Sequence, residues 1–230
     1  MDIEEQIKMV ASRIDHAVLN PSEGDIDVSR ACSIARKYDV ASICVKPCHV
    51  ILAASELQGS DITVCTVVGF PHGANTTGIK YAEAMEALKN GAAEIDMVIN
   101  IGKLKDENLS YLQTEIEFIS RLVHQAKGSI LKVIIETALL DEKQKITACK
   151  VAEEAGADFV KTSTGFSSRG AALQDIELMR SVLSPNVRIK ASGGIKTLQQ
   201  AVDFINAGCD RIGTSKTETI LSKQEADGDY

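Results

Sequence analysis

Short runs of apolar, often β-branched residues alternate with longer amphipathic runs along the whole chain. The short runs are apolar at successive positions, which is typical of parallel strands covered by helices on both faces. Eight strands are predicted in this way, over Arg13–Val18, Ser42–Lys46, Ile62–Gly69, Glu94–Ile101, Leu131–Glu136, Phe159–Ser163, Arg188–Ser192 and Arg211–Thr214.

The longer runs carry apolar residues at helical spacing and predict helices between the strands. These helices cover Val28–Tyr38, Thr76–Lys89, Leu109–Lys127, Asp141–Glu154, Leu173–Leu183 and Leu198–Asn206. Gly91, Gly156 and Gly208 stand just after three of them, each followed by small and acidic residues and then a new strand. Glycine is the usual residue at a helix C-terminus, so the chain repeats one helix-to-strand turn.

Repeated strand–helix units of this length predict a single-domain (β/α)8 TIM barrel over residues 1–230. An open, doubly wound sheet is the alternative, but it normally has a glycine-rich phosphate loop after its first strand. Neither GxGxxG nor GxxxxGK[ST] occurs in the chain. The polar tail from about Gln224 is expected to be flexible.

Composition excludes several classes of function. The chain has 230 residues, a formal net charge of -7, no Trp and few aromatic residues, which argues against nucleic acid as a partner. No apolar run is long enough to span a membrane, and the acidic N-terminus is unlike a secretory signal. The six cysteines form no CxxC pair, so we expect buried thiols in a reducing, cytoplasmic setting.

Two lysines lie inside predicted strands, Lys161 in the sixth and Lys190 in the seventh. Each is either a salt-bridge partner or a functional amine, because lysine is rarely buried without one of these roles. On neighbouring strands the two charges would lie roughly 5 Å apart and repel by about 3 kcal/mol. We therefore expect repulsion and burial to lower the pKa of one lysine, which favours Schiff-base chemistry with a carbonyl substrate.

Acidic residues also lie in predicted strands. Asp96 stands inside the fourth strand, where a carboxylate is costly unless it is paired or used. It is either a salt-bridge partner of a lysine across the barrel or a site carboxylate. Asp15 stands in the first strand and is either a site carboxylate or a loop cap.

Small residues follow the last two strands, at Gly193 and Gly194 and from Gly213 to Ser215. Such turns expose backbone N–H groups at the start of the next helix, and barrels often bind phosphate after strands seven and eight. A Gly-Gly turn alone indicates only a tight turn, but two in consecutive places predict a phosphate site.

Several segments resemble the signature segments of the deoxyribose-phosphate aldolase family, in the family's order and across nearly the whole chain. They are Ile14–His16, Val68–Pro71, Gly73–Thr77, Glu94–Gly102, Phe159–Gly165 and Lys190–Ile195. The resemblance implies a TIM-barrel lyase of class I, which uses a Schiff-base lysine and neither a metal nor another cofactor. It would cleave 2-deoxy-D-ribose 5-phosphate reversibly to glyceraldehyde 3-phosphate and acetaldehyde, in deoxyribonucleoside catabolism.

The resemblance also implies roles for single residues. Lys161 would be the Schiff-base lysine, Lys190 the second lysine and Asp96 the carboxylate of a proton relay. The predicted substrate-binding residues are Asp15, Thr164, Gly165, Gly193, Gly194, Gly213 and Ser215. The terminal Tyr230 is either part of a disordered end or a phenol that folds over the barrel mouth and exchanges protons with substrate.

The chain departs from the family pattern at Ala17, at Ser167–Arg169 and at Lys216. These changes affect expected substrate contacts and leave the lysines in place, so a lysine-dependent aldolase for another sugar phosphate is an alternative. A barrel that binds sugar phosphates without catalysis would lack the reactive lysine or its partner. His16, His49, His72 and His124 form neither HxH nor HExxH, which disfavours a metal-dependent aldolase. The sequence does not give the oligomeric state and is compatible with a homodimer or a larger homo-oligomer.

Overall fold

A computed structural model describes residues 2–222 of the chain. Its eight strands form one closed parallel barrel, in which each strand pairs with the next and the eighth pairs with the first. They are β1 (Ile14–Val18), β2 (Ser42–Val45), β3 (Thr63–Val68), β4 (Glu94–Val98), β5 (Ile130–Ile134), β6 (Phe159–Lys161), β7 (Arg188–Ser192) and β8 (Arg211–Thr214). The predicted (β/α)8 barrel is confirmed, and the open sheet is excluded.

Helices connect the strands and form the outer layer. They are α1 (Ile3–Ala11), α2 (Asp25–Tyr38), α3 (Val50–Glu56), α4 (Thr77–Lys89), α5 (Ile101–Lys105), α6 (Leu109–Gln125), α7 (Glu142–Glu154), α8 (Leu173–Val182), α9 (Leu198–Asn206) and α10 (Thr217–Leu221). Within residues 2–222, no helix is both long enough and apolar enough to cross a membrane.

The strands separate an apolar layer from a charged interior. Ile189 and Ala191 of β7 belong to the main apolar core, and so do Ile95 and Met97 of β4. The residues between them, such as Lys190, are buried but polar. Because successive strand side chains point to opposite faces, one face packs on the helices and the other fills the barrel.

The repeated helix-to-strand turn is present at all three predicted places. Gly91, Gly156 and Gly208 have φ values of 107°, 85° and 107°. This left-handed region is costly for residues with a Cβ atom, so glycine ends the helices here and redirects the chain into β4, β6 and β8.

The structure also corrects element boundaries. The sixth strand ends at Lys161 rather than Ser163, because the chain leaves the sheet there and enters the loop before α8. Four helices, α1, α3, α5 and α10, have no counterpart in the prediction. Helices α3, α5 and α10 have seven residues or fewer, which is too short for helical periodicity to stand out in the sequence, and α1 has nine. The predicted flexible tail from Gln224 lies outside the described residues.

Candidate active site

A cavity of about 400 Å³ opens where the strands end, at the C-terminal mouth of the barrel. Lys161 and Lys190 reach it from inside the barrel, and the loops after the strands form its rim. All seven predicted substrate-binding residues line it: Asp15, Thr164, Gly165, Gly193, Gly194, Gly213 and Ser215. The structure therefore brings together residues that are spread over two hundred positions of sequence.

Asp96 lies between the two lysines, beneath the floor of the cavity. Lys161 and Lys190 are direct neighbours in the register of β6 and β7. Both Nζ atoms donate to Oδ2 of Asp96, each at 2.7 Å. The carboxylate is fully buried, so it meets the cavity only through the lysines.

A third lysine, Lys132 of β5, lies deeper in the barrel. Its Nζ donates to Oδ1 of Asp96 at 2.9 Å and also contacts the carboxylates of Glu94 and Asp15. Arg211, at the start of β8, pairs with Asp15 and Glu94. These residues form the charged barrel core, which is defined as Asp15, Glu94, Asp96, Lys132, Lys161, Lys190 and Arg211.

Lys132, Glu94 and Arg211 were not predicted as site residues. Each is a charged residue within a predicted strand, so the signal that pointed to Lys161 applied to them too. Their place at the beginnings or middles of strands, away from the mouth, explains why they do not line the cavity. Lys132 and Arg211 neutralise the buried carboxylates from below, and Glu94 is one of these carboxylates.

The electrostatics of the core correct the expectation for Lys190. We expected repulsion between Lys161 and Lys190 to lower the pKa of one of them, but the carboxylates between them were not counted. Burial acts to lower the pKa of Lys190, yet Asp15 and Asp96 outweigh it and raise that pKa above its usual value. Lys190 is therefore not the lysine whose pKa is lowered.

The carboxylates are correspondingly ionised. Burial acts to raise the pKa of Asp96, but Lys132, Lys161 and Lys190 hold it well below its usual range. Burial also acts to raise the pKa of Asp15, but Lys190, Lys132 and Arg211 outweigh it and lower that pKa. The alternative that Asp15 caps a loop is excluded, since its side chain points into the charged barrel core.

Glycine shapes the rim of the cavity at the two predicted turns. Gly193 and Gly194 both have positive φ, 84° and 82°. A Cβ atom on Gly193 would lie 2.9 Å from Cα of Gly170. A Cβ atom on Gly213 would lie 3.1 Å from Cε of Lys190, so glycine at this position leaves room for the lysine side chain.

The departures from the family pattern fall in two groups. Ala17 and Lys216 line the cavity, so they can contact substrate. Arg169 instead pairs with Asp175 at 2.7 Å and donates to the carbonyl of Thr137, which fixes the loop after β6. Tyr230 lies outside the described residues, and its role stays a prediction.

One group of side chains has the composition of a metal site. Ligand atoms of Cys44, Cys65 and Asp96 lie within 4.8 Å of one another. Asp96, however, already accepts from three lysines, and Cys65 Sγ donates to its Oδ1 at 3.2 Å. A bound cation would compete with these ammonium groups, so we assign no metal to the group.

Comparison with known proteins decides the family. Residues 9–215 match the model of the DeoC/LacD family aldolases. The chain belongs to this family. The resemblance of its motifs to deoxyribose-phosphate aldolases, and the prediction of an aldolase and therefore a lyase, are confirmed.

Relatives within the family match over nearly their whole length. The deoxyribose-phosphate aldolase of Clostridium kluyveri is 48% identical over 218 residues, which cover 94% of this chain and 99% of the relative. That of Streptococcus sanguinis is 46% identical over 217 residues, covering 94% of this chain and 97% of the relative. The tetrameric deoxyribose phosphate aldolase of Aeropyrum pernix superposes with a TM-score of 0.85 at 29% identity, covering 96% of this chain and 97% of that chain.

Proposed function

We propose that this aldolase cleaves 2-deoxy-D-ribose 5-phosphate reversibly to glyceraldehyde 3-phosphate and acetaldehyde, with Lys161 as the nucleophile. The family supports the reaction, and the observation that carries the assignment is the contact of Lys161 and Lys190 with one carboxylate at the floor of the cavity.

Charge distinguishes Lys161 from the other lysines. Among the residues that the structure describes, Lys132 contacts three carboxylates and Lys190 two, whereas Lys161 contacts one, that of Asp96. The charged barrel core holds four basic and three acidic side chains. Loss of a proton from any lysine of this core leaves as many cations as anions, so the number of ion pairs, rather than this count, singles out Lys161 as the proposed nucleophile.

In the proposed reaction, the amine of Lys161 adds to the C1 aldehyde of the open-chain sugar and water leaves, which gives an iminium ion. A base removes the proton of the C3 hydroxyl, and the C2–C3 bond breaks as glyceraldehyde 3-phosphate departs. The bonding electrons form an enamine on Lys161. Protonation of C2 and hydrolysis then release acetaldehyde and restore the amine.

Lys190 and Asp96 support these proton transfers. Lys190 faces the cavity as a cation, so it can donate to oxygen atoms of the substrate. Asp96 Oδ2 accepts from both lysines and gives a proton a short path between them. The proposal makes Asp96 a relay that acts through the lysines, because it is fully buried beneath them.

The phosphate group is proposed to bind at the Gly193–Gly194 turn and the loop around Ser215. Both turns line the cavity, and so do Lys196 and Lys216, whose ammonium groups favour an anion. The sugar would then lie in the cavity between the two turns and the lysines, with its phosphate at the turns and its C1 aldehyde at Lys161.

A substrate panel tests the proposed function. The enzyme is incubated with 2-deoxy-D-ribose 5-phosphate, with and without EDTA, and both products are quantified. Equal amounts of acetaldehyde and glyceraldehyde 3-phosphate, at one rate in both buffers, are expected. Turnover of another sugar phosphate only would assign a different substrate, and loss with EDTA that added metal restores would contradict a metal-free mechanism.

Assembly and location are parts of the proposal. A homo-oligomer is supported by the tetrameric relative from Aeropyrum pernix, and sedimentation at several concentrations tests it. A cytoplasmic location is supported by the six cysteines, all of which are free thiols; five are buried as expected, whereas Cys48 is exposed.

A further inference from the structure

Glu136 follows β5 at the mouth of the barrel in an unusual backbone conformation. Its φ and ψ are 54° and 68°, in the left-handed region. A residue with a long side chain is uncommon there, and such strain persists only where the surroundings hold it. The side chain is also buried, with only 2% of the residue exposed.

The carboxylate of Glu136 accepts hydrogen bonds from one residue, Thr164. Its Oε2 accepts from the backbone N of Thr164 at 3.1 Å and from the Thr164 hydroxyl. The hydroxyl in turn accepts from the backbone N of Phe166 at 3.1 Å. Glu136 Oε2 therefore holds the backbone N–H and the hydroxyl of Thr164 directly, and the backbone N–H of Phe166 through that hydroxyl.

Ion pairing does not account for this carboxylate. Within residues 2–222, Glu136 forms no salt bridge, and its second oxygen, Oε1, is buried without a hydrogen-bond partner in the protein. Burying a carboxylate with so little compensation is costly. The cost, together with the backbone strain, points to a role at the neighbouring site.

The loop that Glu136 holds is in contact with the proposed phosphate turn. The backbone N of Ala171 donates to the carbonyls of Ser192 and Gly193, at 3.0 and 3.2 Å. The Ser192 hydroxyl donates to the carbonyl of Ser163 at 3.0 Å. A Cβ atom on Gly193 would lie 3.5 Å from Cα of Gly165, so the two backbones touch.

We propose that Glu136 is a positioning residue for the substrate phosphate. It holds Thr164, and through the loop after β6 it fixes the Gly193–Gly194 turn in the shape that binds phosphate. This inference rests on the proposed function, because it assumes that the cavity binds a phosphorylated sugar.

Two substitutions separate the hydrogen bond from the backbone strain. Glu136→Gln keeps an oxygen that can accept from Thr164. Glu136→Gly removes the acceptor but suits the left-handed backbone, so it does not add strain. Asp39→Gly is the matched control, because Asp39 has nearly the same conformation, with φ 51°, at the end of α2.

Two activities are measured on each variant: cleavage of 2-deoxy-D-ribose 5-phosphate and exchange of the acetaldehyde methyl protons with D₂O. The exchange needs the lysines but no phosphate. Glu136→Gly is expected to raise KM for the sugar phosphate about tenfold or more, because the acceptor that holds Thr164 is lost. Exchange should stay within about twofold, and Glu136→Gln and Asp39→Gly should keep KM within about threefold.

A Glu136→Gly enzyme that loses cleavage and exchange to the same degree would show a general structural role and overturn the proposal. An unchanged KM would overturn it as well. A wild-type enzyme that cleaves no sugar phosphate and exchanges no protons would instead contradict the proposed function, and this inference with it. The wild-type control therefore shows which of the two has failed.

Discussion

Lys161 and Lys190 stand side by side on neighbouring strands and donate to the same oxygen atom of Asp96. The negative charges of that carboxylate and of Asp15, which also contacts Lys190, offset the repulsion between the two ammonium groups. The two amines thus share one carboxylate, and Lys190 has a second carboxylate beside it. This relationship, rather than desolvation alone, is what we expect to set the reactivity of Lys161.

Replacing Lys190 tests whether its positive charge supports the reactivity of Lys161. Lys190→Leu removes one of the four basic side chains of the charged barrel core, so a neutral Lys161 would then leave two cations beside three carboxylates. Turnover at pH 7 should fall by about a hundredfold or more, as for loss of a group that assists proton transfer. If charge is the main cause, a profile of kcat against pH should recover in part at high pH. Equal loss at every pH would show that Lys190 acts by contact alone.

The phosphate turn can be tested at Gly193. In Gly193→Ala the new methyl group would meet Cα of Gly170 at 2.9 Å, at a φ of 84°. The turn must then shift, and KM for the sugar phosphate should rise about tenfold, which corresponds to roughly 1.4 kcal/mol. Gly59→Ala is the control, since Gly59 has a φ of 80° and nothing within 4 Å of the added atom. If both variants bind substrate alike, the turn does not hold phosphate.

A buried ion pair outside the active site is expected to contribute to the stability of the fold. Lys80 of α4 and Glu115 of α6 pair at 2.8 Å, and both side chains are fully buried. Lys80→Met leaves the carboxylate without its cation and should lower the free energy of unfolding by about 3–5 kcal/mol. The double variant Lys80→Met, Glu115→Leu should recover more than half of that loss in urea denaturation. A double variant no more stable than the single one would contradict the electrostatic cause.

His16 gives the barrel a pH dependence of stability. Burial lowers its pKa from 6.5 to about 4, and its Nδ1 lies 2.7 Å from the Thr217 hydroxyl. The folded state keeps the imidazole neutral while the unfolded chain takes up a proton, so stability is lost as pH falls from about 6.5 towards 4. Between pH 7 and 5 the loss should be about 2 kcal/mol. Urea denaturation of His16→Asn should lack this part of the slope; an unchanged slope would assign it to other groups.

The strands were predictable because parallel strands leave a strong signal, namely continuous apolar runs between glycine-ended helices. Lys161, Lys190 and Asp96 were predictable as charges inside those runs. Lys132 and Arg211 carry the same signal, but nothing in one strand tells how deep a residue sits in the barrel. The link from Glu136 to Thr164 was not predictable either, because it depends on a left-handed backbone at a residue that usually avoids one.

The central claim is that Lys161 forms the Schiff base. The most direct measurement is borohydride reduction of the enzyme in the presence of acetaldehyde, followed by peptide mass spectrometry. Reduction of the imine fixes an ethyl group on the lysine that formed it, and Lys161→Arg provides the control. We expect the ethyl group on the peptide that holds Lys161, and none on it in the control. An ethyl group on Lys190 with Lys161 unmodified would contradict the account.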